Sequence, residues 1–520
     1  MFDRRVFLKA LAATSAATAE PMTSAVASSA KRRGLVPSMP SMAPNYWCTW
    51  AVQNYMYGQG LTKLDAAILE GDAGAKLARD AMNENALLGQ NGWARRFHSH
   101  VRRDLYLLLD DGWESDGTAT FHLDQKKFPS FKGSNAHRLL ALNQAVKRIG
   151  WRGAALWCRN TPGGNADLPL ENESRKAGIR YWKIDIGDPA FHLVHIRNDA
   201  RIPLTLEHVH GELPVNGDWK HDGRFGSQTW GSRRIEILRN TDVYRTYDVT
   251  PLLSLPTTLD RVNELLRTAA GHREIRSLLN VEDEVYVAAV LGCTMGIMRY
   301  PLHGLRPDGD VDLSFTGPRN AKQRMDEVVR ALRWQHIAAP FACGIGSFET
   351  SDEILTDSWT FAAGETWLHD LVGFTVFQGA PAVLARNIAL PHVTAEREKP
   401  FVFAARFPNG AVAVGAQERT RPGHGWYMPR CEVDVHVGDA PGPFGIFGEY
   451  DGLTLTFGRN PAGKRVLVQD LAGEELVDVT SRVEFKGTAL HLNGRLLREA
   501  GLRNRTPGDL SSPGAVVALV

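Results

Sequence analysis

From position 45 to about 300, short apolar runs alternate with longer stretches in which apolar residues recur every third or fourth position. That is the pattern of parallel strands joined by crossover helices. Residues 45–50, 104–109, 153–158, 181–185, 204–211 and 241–249 are the predicted first six strands. Segments 285–298 and 342–347 are candidates for the seventh and eighth, with a helix over 320–333 between them. Two helices have legible ends: 72–89 starts at Asp72 and closes on Gly89, and 134–150 has Ser134 as its N-cap and Gly150 as its stop. After about 373 the pattern changes. Residues 401–403, 411–414, 453–457 and 466–468 are short strands separated by Gly, Pro, Asn and Asp, which predicts a C-terminal antiparallel β-sandwich over 373–520.

Polar residues inside the apolar runs carry the candidate chemistry. In Tyr181-Trp182-Lys183-Ile184-Asp185 a lysine and a carboxylate stand two residues apart, so both side chains point to one face of a buried strand. Apolar residues could replace such an ion pair at little cost, so its presence at a strand end points to a site, with Asp185 as the candidate nucleophile. The second strand ends in Asp110-Asp111-Gly112-Trp113, adjacent carboxylates that repel one another and need a cation or ligand donors. The fifth carries Glu207, with His208 and His210 on a shared face, and the sixth carries Asp242, Arg245 and Asp248. Acids at the ends of four strands converge when the sheet closes, and no glycine fingerprint follows the first strand. A (β/α)8 TIM barrel over 45–372 is therefore expected.

Composition narrows the setting. A chain of 520 residues with 43% hydrophobic and 23% charged content supports more than one sizeable core. The net charge of +2, with no basic block beyond Lys31-Arg32-Arg33, argues against a nucleic-acid or acidic-membrane partner. The five cysteines form no CxxC pair, so neither a zinc cluster nor a dense disulfide framework is indicated, although a single disulfide is compatible with the count. At the N-terminus Arg4-Arg5-Val6-Phe7-Leu8-Lys9 precedes an Ala-rich run ending in Ala17-Thr18-Ala19. This predicts a twin-arginine export signal over 1–19 and a linker over 20–44. With no later run of spanning length, the expected product is soluble, free of the membrane, and periplasmic or secreted.

Several ordered pieces resemble the retaining α-galactosidases of glycoside hydrolase clan D, families 27 and 36. They are Tyr46-Trp47-Cys48-Thr49-Trp50, Asp110-Asp111-Gly112-Trp113, Lys127-Phe128-Pro129, Tyr181 to Asp185, and Arg245-Thr246-Tyr247-Asp248-Val249. The resemblance spans most of 45–259. It implies that Asp185 is the nucleophile and Asp248 the general acid/base, with Asp242 as a rival for that role. It further implies that Asp110 and Asp111 hold sugar hydroxyls, that Lys183 lies beside the nucleophile and Arg245 beside Asp248, and that Trp47 is a stacking wall. Trp157, Glu207 and His208 complete the candidate substrate-binding set. A retaining glycosidase needs two carboxyls about 5 to 5.5 Å apart, one ionised and one protonated. The implied substrate is a terminal α-linked sugar, and no cofactor or metal is implied. The strand around Glu207-His208-Val209-His210 and the segment 351–359 depart from the family pattern.

Two other readings use the same residues. His208-x-His210 has metal-ligand spacing and, with nearby acids, would suit a metal-dependent barrel hydrolase. Trp47, Trp113 and Trp157 with the strand-end acids would equally suit a carbohydrate-binding protein that does no chemistry.

Overall fold

The computed structural model describes residues 34–57, 72–115, 121–159, 167–185, 203–208, 234–246, 253–299, 324–360, 373–422 and 425–520. Eight parallel strands form a closed barrel: β1 (Asn45–Cys48), β2 (Leu105–Leu109), β3 (Gly153–Arg159), β4 (Tyr181–Asp185), β5 (Thr205–His208), β6 (Val243–Thr246), β7 (Leu278–Glu282) and β8 (Thr294–Ile297). Each strand pairs with its sequence neighbour, and β1 pairs with β8 to complete the ring. Helices lie between the strands, so the expected (β/α)8 barrel is present.

Strand parity decides which side chains enter the lumen. Tyr46, Cys48, Tyr106, Leu108, Trp157 and Tyr181 form one buried cluster inside the ring. The intervening residues, such as Trp47, Leu107, Trp182, Leu206 and Tyr244, pack outward in the large core that includes the helix layer. Helix Asn135–Arg148 begins where Ser134 caps it, Oγ accepting the His137 N–H, and buries Leu139, Leu142 and Val146. The single helix expected over 72–89 is two, Asp72–Ala81 and Glu84–Leu88. Asn83 divides them, because its side chain accepts the Ala86 N–H at 2.9 Å and starts the second helix afresh.

The late barrel strands differ from the expectation. Residues 285–291 form a helix, Val285–Leu291, and only Thr294–Ile297 of the 285–298 segment is a strand, the eighth. The seventh is Leu278–Glu282, and 342–347 is irregular chain leading to a strand at Phe348–Thr350. The cause is burial on all sides: every residue of Val285–Leu291 is buried, so no amphipathic period marks it as a helix. It lies against both the barrel and the sheet that follows. The helix expected at 320–333 is described from Met325 to Ile337.

The C-terminal region contains an eight-stranded and a five-stranded sheet, mostly antiparallel, as a β-sandwich requires. Parallel pairings occur at 383–386 with 401–406, 412–417 with 444–448, and 431–438 with 452–457. The eight-stranded sheet takes an edge strand from Phe348–Thr350, ahead of position 373 where the pattern changes. Its central strands Phe401–Arg406 and Val412–Gln417 are buried almost throughout, because one face meets the second sheet and the other meets the barrel's helices. In the five-stranded sheet Cys431–Gly438 alternates buried and exposed residues, the mark of a sheet with one wet face. All five cysteines are free and buried. Among the described residues no helix is long and apolar enough to cross a membrane.

Arg386 fastens the sandwich to the barrel. Its buried guanidinium donates to the main-chain carbonyls of Leu291 (2.7 Å), Gly292, Phe341 and Ala342 (2.6 Å), and lies 3.6 Å from the Phe341 ring centroid. Burial lowers its pKa to about 10, so it is still a cation at neutral pH. Arg386→Leu would strand several buried carbonyls. We expect a loss of roughly 2–4 kcal/mol of unfolding free energy by chemical denaturation; a change within about 0.5 kcal/mol, the ordinary surface range, would refute the clasp.

Candidate functional site

The C-terminal mouth of the barrel is built first by the turn after β2. Asp110 follows the buried strand Leu105–Leu109, and its N–H donates to Thr49 Oγ1 at 2.9 Å. Thr49 in turn donates to Gln53, whose amide donates to the Asp111 carbonyl at 2.8 Å. Gly112 has φ +111°, and a Cβ there would sit 2.6 Å from the Arg79 carbonyl oxygen, so only glycine permits this turn. Lys127 closes it from outside, donating to the carbonyls of Gly112 (2.8 Å) and Arg79 (3.0 Å). The Lys-Phe-Pro segment therefore holds the acidic turn in place, with Phe128 fully buried beneath it.

Lys183 extends from β4 to this turn. Its Nζ donates to Asp110 Oδ2 at 2.6 Å, and the Cys48 thiol donates to the same oxygen at 3.0 Å. Asp110 Oδ1 accepts the Asp111 N–H. Burial alone would raise the Asp110 carboxyl, but the Lys183 charge and these hydrogen bonds outweigh it and leave Asp110 below its ordinary value. Burial likewise disfavours charged Lys183, yet Asp110 in particular leaves its pKa raised. The pair is ionised and almost dry, with side-chain exposures of 4% and 5%.

Deeper in the lumen stands Glu207, fully buried. Tyr46 donates to Oε1 at 2.8 Å, and Tyr181 and Asn280 donate to Oε2, each at 2.6 Å. Burial, with the Glu207 charge, pushes both phenols well above the usual tyrosine range. Gly296 on β8 leaves space for this group, since a Cβ would lie 2.6 Å from the Tyr46 hydroxyl. Arg245 on β6 forms a buried ion pair with Glu282 at the end of β7.

The structure brings together Asp110, Asp111, Trp157, Lys183 and Asp185 at this mouth. Trp157 Nε1 donates to Asp185 Oδ2 at 3.0 Å, and the Trp157 carbonyl accepts Trp113 Nε1 at 2.8 Å. The expected Lys183–Asp185 pair is replaced: the lysine's short contact is to Asp110, and Asp185 adds only a weaker attraction. Residues two apart in a strand are separated by about 6.6 Å, so an extended lysine meets a carboxylate across the lumen more readily than its own strand neighbour. Asp111 lies 3.5 Å from Arg79.

Other expected residues fall elsewhere. Trp47 points outward, fully buried among Phe97, His98 and Trp151 with its Nε1 donating to the Arg299 carbonyl, and it offers no face for a sugar. Glu207 serves the barrel interior, with three protein donors already on its carboxylate. His208 has the opposite parity from Glu207 and packs 6.1 Å from Tyr244 on the outward face, so it does not join the lumen acids in a metal site. Asp242 precedes β6, at the N-terminal end of the barrel, where its carboxylate accepts the Leu206 N–H, and this removes it as a rival acid/base. Asp248, Tyr247 and His210 lie outside the described residues, as does the expected signal over 1–19.

Three polar groups at or near the mouth escaped the sequence analysis. Glu282 and Asn280 belong to the unrecognised seventh strand, and their spacing of two was the available signal. Glu114 is 5% exposed in the loop after β2, paired through its backbone with Leu123. Burial, then the Asp111 charge, pushes its carboxyl up to about 8.

No protein-family model and no curated protein matches the chain. The site therefore speaks through its geometry. It offers a half-buried carboxylate on β4, an indole hydrogen-bonded to it, and acids whose charges are set by buried cations. Such a set can accept hydrogen bonds from hydroxyl groups and present an oxygen nucleophile.

Lys183→Met would leave Asp110 buried without its cation. We expect destabilisation of roughly 3–5 kcal/mol. Asp110, with a lowered folded-state pKa, contributes stability that is complete above its ordinary value of 3.8 and is lost as pH falls through the lower folded value. That acid-side loss should shrink in Lys183→Met, as read from denaturation midpoints between about pH 2 and pH 6; equal acid profiles would exclude the pair as its source.

Proposed function

We propose that this chain is a retaining α-glycosidase that cleaves a terminal α-linked sugar, with Asp185 as its nucleophile. The observation that carries this reading is the position of Asp185. It ends β4 at the C-terminal mouth of a parallel barrel, hydrogen-bonded to the Trp157 indole and above the Asp110–Lys183 pair. In the first step an Asp185 oxygen bonds to the anomeric carbon as the glycosidic bond breaks, and a second acid protonates the departing oxygen. In the second step that acid, now a base, takes a proton from water, which displaces Asp185 and returns the sugar with its starting configuration.

Asp248 is the proposed acid/base. It follows Thr246, the last residue of β6, by two positions in the sequence and lies outside the described residues. Asp111 is the proposed hydroxyl acceptor, and Trp157 orients Asp185. Asp110 is anchored below by Lys183 and Cys48 and acts by holding the turn. The export signal expected at 1–19 would deliver such an enzyme to polymeric or extracellular glycosides.

Asp185→Asn should lower turnover of the best aryl α-glycoside in a panel by roughly 10⁴-fold or more, the scale of losing a covalent nucleophile. NMR of the wild-type reaction should show the α-anomer as first product. A β-anomer first would refute retention, and a panel with no cleaved α-glycoside would refute the substrate class.

A further inference from the structure

Glu114 is a buried carboxyl that the mechanism above does not use. The residue is 5% exposed, and among the described residues its Oε2 has no hydrogen-bond partner. The loop around it is tightly tied: Ser115 N–H donates to the His122 carbonyl, Asp124 N–H to the Trp113 carbonyl, and Trp113 Nε1 to the Trp157 carbonyl. Buried polar atoms are rarely left without a partner, so an unpartnered carboxyl oxygen beside a candidate substrate turn needs a reason.

The charged and titratable groups around it supply one. Asp111 and Asp110 repel a charge on Glu114 from its own turn. The Cys158 thiol, raised by its own burial, faces it from β3, and Asp185 on β4 acts on the same thiol. The neighbouring cations are committed elsewhere: Lys183 to Asp110, Arg79 to Asp111, and Lys127 to two carbonyls. Only the backbone N–H groups of Glu114 and Gly112 favour an anion there, and burial with the Asp111 charge outweighs them.

We propose that Glu114 is a positioning residue for the turn after β2: its neutral carboxyl fills the slot beside Asp111 and Cys158, and its ionisation opens that turn and loosens the grip of Asp111 on substrate. The role in substrate binding rests on the glycosidase reading; the opening of the turn does not. The sign follows from the raised value. Below about pH 8 the folded chain holds this proton, and between 4.5 and about 8 the unfolded chain has already released its own. Stability from this group therefore falls as pH rises through that window and is constant above it.

Hydrogen exchange of residues 110–115 and 121–124, corrected for the intrinsic pH dependence, tests the opening. In the wild type, protection should drop by about fivefold or more across a transition near pH 8, and Glu114→Gln should abolish the break. Glu114→Met, also uncharged, carries the same comparison if the glutamine variant does not fold. A wild type without the break, or a variant that keeps it, overturns the proposal. On a cleaved aryl α-glycoside, KM should rise across the same transition while kcat changes less, and the glutamine substitution should remove that rise. A pH-independent KM, or the same rise in Glu114→Gln, overturns the role in binding. If no glycoside is cleaved, the glycosidase reading falls while exchange still decides the role of Glu114.

Discussion

The barrel closes around charge, and charge inside a dry lumen must be paired across strands. Glu207 on β5 draws donors from β1, β4 and β7; Asp110 after β2 draws Lys183 from β4 and Cys48 from β1; Arg245 on β6 meets Glu282 on β7. These contacts tie six of the eight strands to one another through side chains, beyond the backbone ladder. Removing any one partner leaves its mate buried and uncompensated, so the polar layers specify register as well as filling space.

The same pairing prepares the mouth. Asp110 is fixed and ionised below the rim, so the turn it begins has a rigid floor, and Gly112 and Lys127 hold that turn from the other side. Trp157 then bridges the turn to β4 through Trp113 and Asp185. Preorganisation of this kind lets a carboxylate meet a developing charge without first rearranging. Glu114 is the exception in the layer, since among the described residues its Oε2 has no hydrogen-bond partner and no cation is paired with it, leaving burial and the Asp111 charge to dominate.

The sandwich reinforces the barrel by enclosing its late helices. Val285–Leu291 is buried on every side because the eight-stranded sheet covers what would otherwise be its outer face. Arg386 reaches from that sheet to carbonyls at the end of this helix and of the following link. Barrel and sandwich therefore share one continuous apolar core, in addition to the core between the two sheets.

By itself the sequence determined the architecture. Apolar runs, the Ser134 cap and the glycine stops are local signals, and they placed the first six barrel strands and the change to short β-strands. They also placed Asp110 and Asp185 at strand ends, because acids cannot continue an apolar strand without a partner. Only the tertiary structure decided which partner each charge meets. Lys183 turns to Asp110 and away from its own strand neighbour, Arg245 meets a glutamate on a strand hidden by Asn280 and Glu282, and Trp47 and His208 face the helices. Alternation shows that neighbouring side chains point to opposite faces, but which face becomes the lumen is set by closure of the ring, a contact between residues some 250 positions apart at Tyr46 and Gly296.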